Sequence, residues 1–187
     1  MTIRVLDQAN LPADSIDKME RHVEDTLASI EVDVKWVECP KNLAVCRSLR
    51  EPNEFWLRIL ALKPPDVNPG ADLLGFTQHG DTADDKIQCV NIFYPVVGQL
   101  SERTHLESYR ILGAAVAHEI GHLYLGSNSQ AHSRATHRGA NPFSLFASEL
   151  EFELLSIGEL KFTREQAERI RAAMCGHREA RSWFRQG

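Results

Sequence analysis

The chain has 187 residues, 43% hydrophobic and 25% charged, with a formal net charge of −5. These are the proportions of an ordinary soluble globular domain, and they exclude collagen-like, low-complexity and strongly disordered classes. The acidic balance (pI near 5.9) gives no general attraction to nucleic acid or anionic lipid, and no apolar run is long enough to span a bilayer. No nucleic-acid or membrane partner is therefore expected. With no internal repeat or linker to divide it, the sequence reads as a single domain over residues 1–187.

In chain order, residues 3–8 read as a first strand. An amphipathic helix from about Asp14 to Ile30 follows, since Ile16, Met19, Val23, Leu27 and Ile30 recur at steps of three and four. Val32, Val34 and Trp36 alternate with charged neighbours, the pattern of a half-buried strand. Phe55–Leu62, Leu73–Thr77 and Ile87–Phe93 are three more strands, the last two joined by a polar connection with hairpin character. A long helix is predicted from about Ser101 to Leu125, ending at Gly126, which suits the left-handed position past a helix terminus. Another helical piece falls near Ser144–Ile157, and a last helix opens at Thr163 with a capping box and runs to about Met174. A strand-helix-strand start followed by several strands implies a mixed sheet rather than regular βαβ winding, hence an α+β fold.

The N-terminus, MTIRVLDQANLPADS, lacks the charged start, apolar middle and small-residue cleavage site of a signal peptide. It suits a cytoplasmic chain, or a mature form whose leader has been replaced by Met1. Cysteines stand at positions 39, 46, 89 and 175. Cys39 and Cys46 either close a small ring in an oxidising compartment, or all four are reduced thiols.

Chemistry concentrates in Ala117-His118-Glu119-Ile120-Gly121-His122. Histidines four apart on a helix share one face, so His118 and His122 can reach a single ion, for which zinc is the expected cofactor. Glu119 is rotated about 100° from His118. It suits the general base that takes a proton from metal-activated water. The surroundings of the motif are apolar, where idle ionisable groups are costly. A catalytic zinc usually takes three protein ligands. The candidates for the third, in order, are His132, then His137, then Glu149, with Glu151 beside it. His132 ranks first because the chain can turn back at Gly126 and reach the metal beside His122 within a few residues.

The HExxH segment, the glycine after it and the downstream histidine resemble the metzincin pattern HExxHxxGxxH. The glycine and histidine of that pattern would fall at Leu125 and Asn128, where this chain instead has Gly126 and His132. The chain more closely resembles a group of small bacterial metallopeptidase-like proteins. The matching features are Trp36, Cys39-Pro40, Leu74-Gly75-Phe76, the segment Ala117–Ser133, and Leu160 to Gln166. Gln130-Ala131 are an insertion relative to that group, and Ala135-Thr136-His137 stand where it has Gly-Ile-Met.

The resemblance implies a zincin-like fold: a mixed β-sheet packed on a long active-site helix, with C-terminal helices. It further implies zinc-dependent hydrolysis of a peptide or protein substrate, and export to the periplasm or medium, where Cys39 and Cys46 should be linked. Zincins pair extended substrate with the sheet edge above the active-site helix, and Ile87–Tyr94 is the expected edge. The alternatives are a zinc hydrolase on a non-peptide substrate, a non-catalytic module in which His132 and His137 complete a closed zinc site, and a latent enzyme whose loop Ser127–Pro142 must first rearrange.

Overall fold

The computed structural model describes residues 1–39, 53–62, 74–79, 88–125 and 161–182. Strand β1 (Thr2–Asp7) leads through helix α1 (Ala13–Ala28) into strand β2 (Lys35–Glu38), which lies parallel to β1. The start of the chain is thus one βαβ unit. Helix α1 buries Ile16, Met19, Val23 and Leu27, the stripe read from the sequence. Its end explains why the second strand begins later than expected. The Val32 N–H donates to the Leu27 carbonyl at 3.1 Å and the Glu31 N–H to Ala28 at 3.0 Å, with Glu31 at φ 61°. This is a Schellman closure in which a glutamate takes the usual glycine position. Val32 is consumed in sealing the helix, so pairing starts only at Lys35.

Strands β3 (Glu54–Leu60), β4 (Gly75–His79) and β5 (Gln88–Phe93) complete a five-stranded sheet in the order β2-β1-β3-β5-β4. β1, β2, β3 and β5 are mutually parallel, and β4 runs antiparallel to β5 at the sheet edge. The expected hairpin partners do pair, but the edge assignment is corrected. Residues 88–93 lie inside the sheet between β3 and β4, and among the described residues β4 is outermost. Sequence alternation cannot tell these two apart, because position in the sheet depends on which distant strand β5 joins.

Period-2 alternation divides the sheet's faces. Ile3, Val5, Phe55, Leu57, Ile59, Val90 and Ile92 share the main core with the helices, and the opposite face carries a smaller cluster of Leu6, Cys39, Trp56 and Cys89. Cys39 extends β2 through its N–H bond to the Val5 carbonyl at 2.8 Å and is disulfide-bonded. Cys89 and Cys175 are free thiols. Cys46, the expected partner of Cys39 if the ring closes, lies outside the described residues.

The single long helix expected over Ser101–Leu125 is two helices, α2 (Tyr94–Thr104) and α3 (Ser108–Leu125). His105 sits at φ 59°. The Thr104 hydroxyl donates to the Leu100 carbonyl at 2.8 Å and the Ser101 hydroxyl to Leu106 at 2.6 Å. Side chains that satisfy backbone groups locally compete with helix continuation, and a left-handed residue ends the turn. Helix α3 is buried on nearly every side, packed among α1, α2, β4, β5 and the last helix, α4 (Arg164–Ser182). Gly113 allows α1 to approach, since a Cβ there would lie 2.7 Å from His22 Cδ2. The capping box of α4 forms as read: the Thr163 N–H donates to Gln166 Oε1 at 2.8 Å and the Gln166 N–H to Thr163 Oγ1 at 3.2 Å. The expected helical piece Ser144–Ile157 lies outside the described residues. The result is an α+β fold with a mixed sheet and, among the described residues, four helices. None of these is long and apolar enough to cross a membrane.

Where α1 meets β2, partial burial and the nearby carboxylates of Asp17, Glu38 and Glu24 push Glu20 up to about 7. The raised value means that folding disfavours the ionised form. The folded chain keeps the proton between the unfolded pKa of 4.5 and about 7, so stability declines as pH rises through that window. Glu20 is only half-buried, and solvent screening limits the effect to about 1 kcal/mol. Glu20→Gln should stabilise the chain by about that amount at pH 8 and leave it unchanged at pH 4, as measured by urea denaturation.

Candidate metal centre

Helix α3 carries His118 and His122 one turn apart. Their rings meet edge to face, centroids 4.7 Å apart at 84°, and the two Nε2 atoms approach to 3.0 Å. Two nitrogens bound to one tetrahedral zinc, each at 2.0–2.1 Å, stand about 3.3–3.4 Å apart. A separation a few tenths of an ångström shorter needs only small ring rotations to admit the ion. Burial, and then the neighbouring His118, hold His122 down to about 4. Its imidazole is therefore neutral at physiological pH, the form that ligates metal. The donor set fits zinc on both counts.

Glu119 is 8% exposed, and burial pushes its carboxyl up to about 7, opposed by a hydrogen bond from Thr77. That bond spans 2.8 Å from Thr77 Oγ1 to Glu119 Oε2, and the same hydroxyl lies 3.0 Å from the Glu119 backbone carbonyl oxygen. Thr77 belongs to β4, whose alternation turns Gly75 and Thr77 towards α3. Phe76 points to the opposite face, its ring centroid 5.7 Å from that of Phe93. Gly75 is required by the neighbouring strand β5. A Cβ there would fall 2.5 Å from the Asn91 carbonyl oxygen, 2.7 Å from Ile92 Cδ1 and 3.4 Å from Glu119 Cγ. Only glycine fits so close against β5 here, whereas the contact with Glu119 would be an ordinary one. Gly75 and Thr77 were legible in the sequence as parts of a strand, but not as neighbours of Glu119. Which face of that strand meets which helix is a long-range matter.

The structure brings the imidazoles of His118 and His122 together, as their spacing requires, and holds the Glu119 carboxyl against Thr77. His132, His137, Glu149 and Glu151 lie outside the described residues, and among the described residues no group of three metal-ligating side chains is assembled. At the far end of α3, Arg169 of α4 donates to the Leu125 carbonyl at 3.4 Å. This places a cation at the helix C-terminus just before Gly126. No family model, curated protein or solved structure matches the chain.

Proposed function

We propose that the chain is a zinc-dependent peptidase of the zincin type, with zinc held by His118, His122 and a third ligand, His132 ranked first, and Glu119 as general base. The observation that carries this reading is the convergence of two Nε2 atoms at 3.0 Å, on the same helix as a buried carboxyl, that of Glu119, pushed up to about 7 by burial. Zinc, when bound there, would supply Lewis acidity, polarising a peptide carbonyl and acidifying water. The chain's own residues do the rest. The Glu119 carboxylate accepts the proton of the attacking water and returns it to the leaving amine, and the bound cation's charge favours the ionised carboxylate this requires.

Among the described residues, strand β4 is paired on one side only. An extended peptide that adds to it antiparallel would lie along α3, with its main-chain groups satisfied by the ladder. The Cys39 disulfide supports a working compartment that is oxidising, consistent with export.

Metal analysis of the purified chain together with a peptide-library digest tests the reading. About one zinc per chain is expected, with cleavage abolished by a chelator and restored by added zinc. Cleavage indifferent to chelation would overturn it. One zinc per chain without cleavage would instead favour the non-catalytic module or a non-peptide substrate.

A further inference from the structure

We infer that Thr77 is the positioning residue of the proposed general base, fixing the Glu119 carboxylate from the edge strand. The inference rests on the reading of Glu119 given above. A glutamate has three side-chain torsions, and immobilising them carries an entropy cost; helix α3 alone does not choose among the rotamers. The Thr77 hydroxyl does. It lies 2.8 Å from Oε2 and 3.0 Å from the backbone carbonyl oxygen of the same glutamate, and its single proton, donated to the carboxylate, holds the tip of the side chain against the edge strand. Thr77 is itself stiff: it is β-branched, with few χ1 choices, and its strand is held by the ladder to β5, where it pairs with Val90. Gly75, two residues earlier on the same face, lets β4 sit close against β5, since a Cβ there would fall 2.5 Å from the Asn91 carbonyl oxygen. Helix, strand and carboxylate are thereby locked together at one hydroxyl. A base held this way meets the attacking water in one geometry rather than several, and orientation of this kind acts on kcat rather than on substrate affinity.

The test uses the full chain loaded with zinc and compares wild type, Thr77→Val, Thr77→Ala and Thr77→Ser, with Glu119→Gln as reference. Five quantities are read: kcat and KM on a cleaved peptide, zinc content, and affinity for acetohydroxamate and for azide by calorimetry. Acetohydroxamate binds a metal while giving a proton to a neighbouring base, whereas azide carries no proton to give. Thr77→Val should lower kcat by about ten- to a hundredfold, within the range of general-base contributions. KM should stay within about twofold, because ground-state binding is untouched. Zinc content and azide affinity should be unchanged, with acetohydroxamate binding weakened about tenfold by the misplaced base. Thr77→Ala should show the same split, and Thr77→Ser, which keeps the hydroxyl, should restore wild-type values. If Thr77→Val keeps both kcat and acetohydroxamate affinity while Glu119→Gln loses them, the Thr77 assignment fails alone. If Glu119→Gln also keeps both, the general-base reading has failed and takes this inference with it. Equal losses of zinc, azide and acetohydroxamate binding in the valine, alanine and serine variants would reduce Thr77 to a structural residue.

Discussion

Glu119→Gln is expected to cut peptide hydrolysis by about 10²- to 10⁴-fold, the usual share of a general base, while leaving zinc content intact. Glutamine keeps the size of the side chain and an oxygen that can accept from the Thr77 hydroxyl, but it cannot take up a proton. The fold should tolerate the change, because burial already disfavours the charged form. In the metal-free chain Glu119 titrates near 7 against an ordinary 4.5. The native state therefore retains a proton that the unfolded state releases in that window, and stability falls as pH rises from 4.5 to about 7. The glutamine variant lacks this decline. Denaturation of metal-free protein should show it gaining on wild type at pH 8 relative to pH 4, by an amount on the order of a few kcal/mol. Full activity in the variant would require another base, and loss of zinc would make Glu119 a ligand.

Removal of either motif histidine should have the largest effect on metal. His118→Ala and His122→Ala each delete one imidazole from a pair already aimed at a common point, Nε2 to Nε2 at 3.0 Å. Loss of an outer hydrogen-bond partner typically costs about 10- to 100-fold in metal affinity, and loss of a ligand itself should exceed that. Both variants should purify essentially free of zinc and without activity, as read by elemental analysis and peptide digestion. Unchanged zinc in both would end the metal-centre reading. His132→Ala should weaken zinc binding severely and His137→Ala less, because reaching the ion from His137 requires five more loop residues to be ordered. The reverse order would exchange the third ligand without touching the HExxH pair.

Local physics determined much of this protein in the sequence itself. The apolar stripe Ile16–Leu27 specified α1, and Thr163 with Gln166 specified the start of α4. The four-residue step from His118 to His122 dictated that two imidazoles share one helix face. Each of these depends on residues within a turn or two of one another, where periodicity and hydrogen-bonding chemistry suffice. The break between α2 and α3 was masked because His105 has no intrinsic signature of a left-handed residue. Its conformation follows from how Ser101 and Thr104 capture nearby carbonyls. The delayed start of β2 was hidden in the same way by a glutamate standing where a helix usually ends in glycine. Only the tertiary structure decided that β5 is interior and β4 is the edge, since that turns on β5 pairing with β3, a strand far away in sequence. For the same reason only the fold could turn Gly75 and Thr77 towards α3. Strand alternation leaves two faces open, and the choice is made by which helix a strand packs against, through long-range burial rather than local propensity.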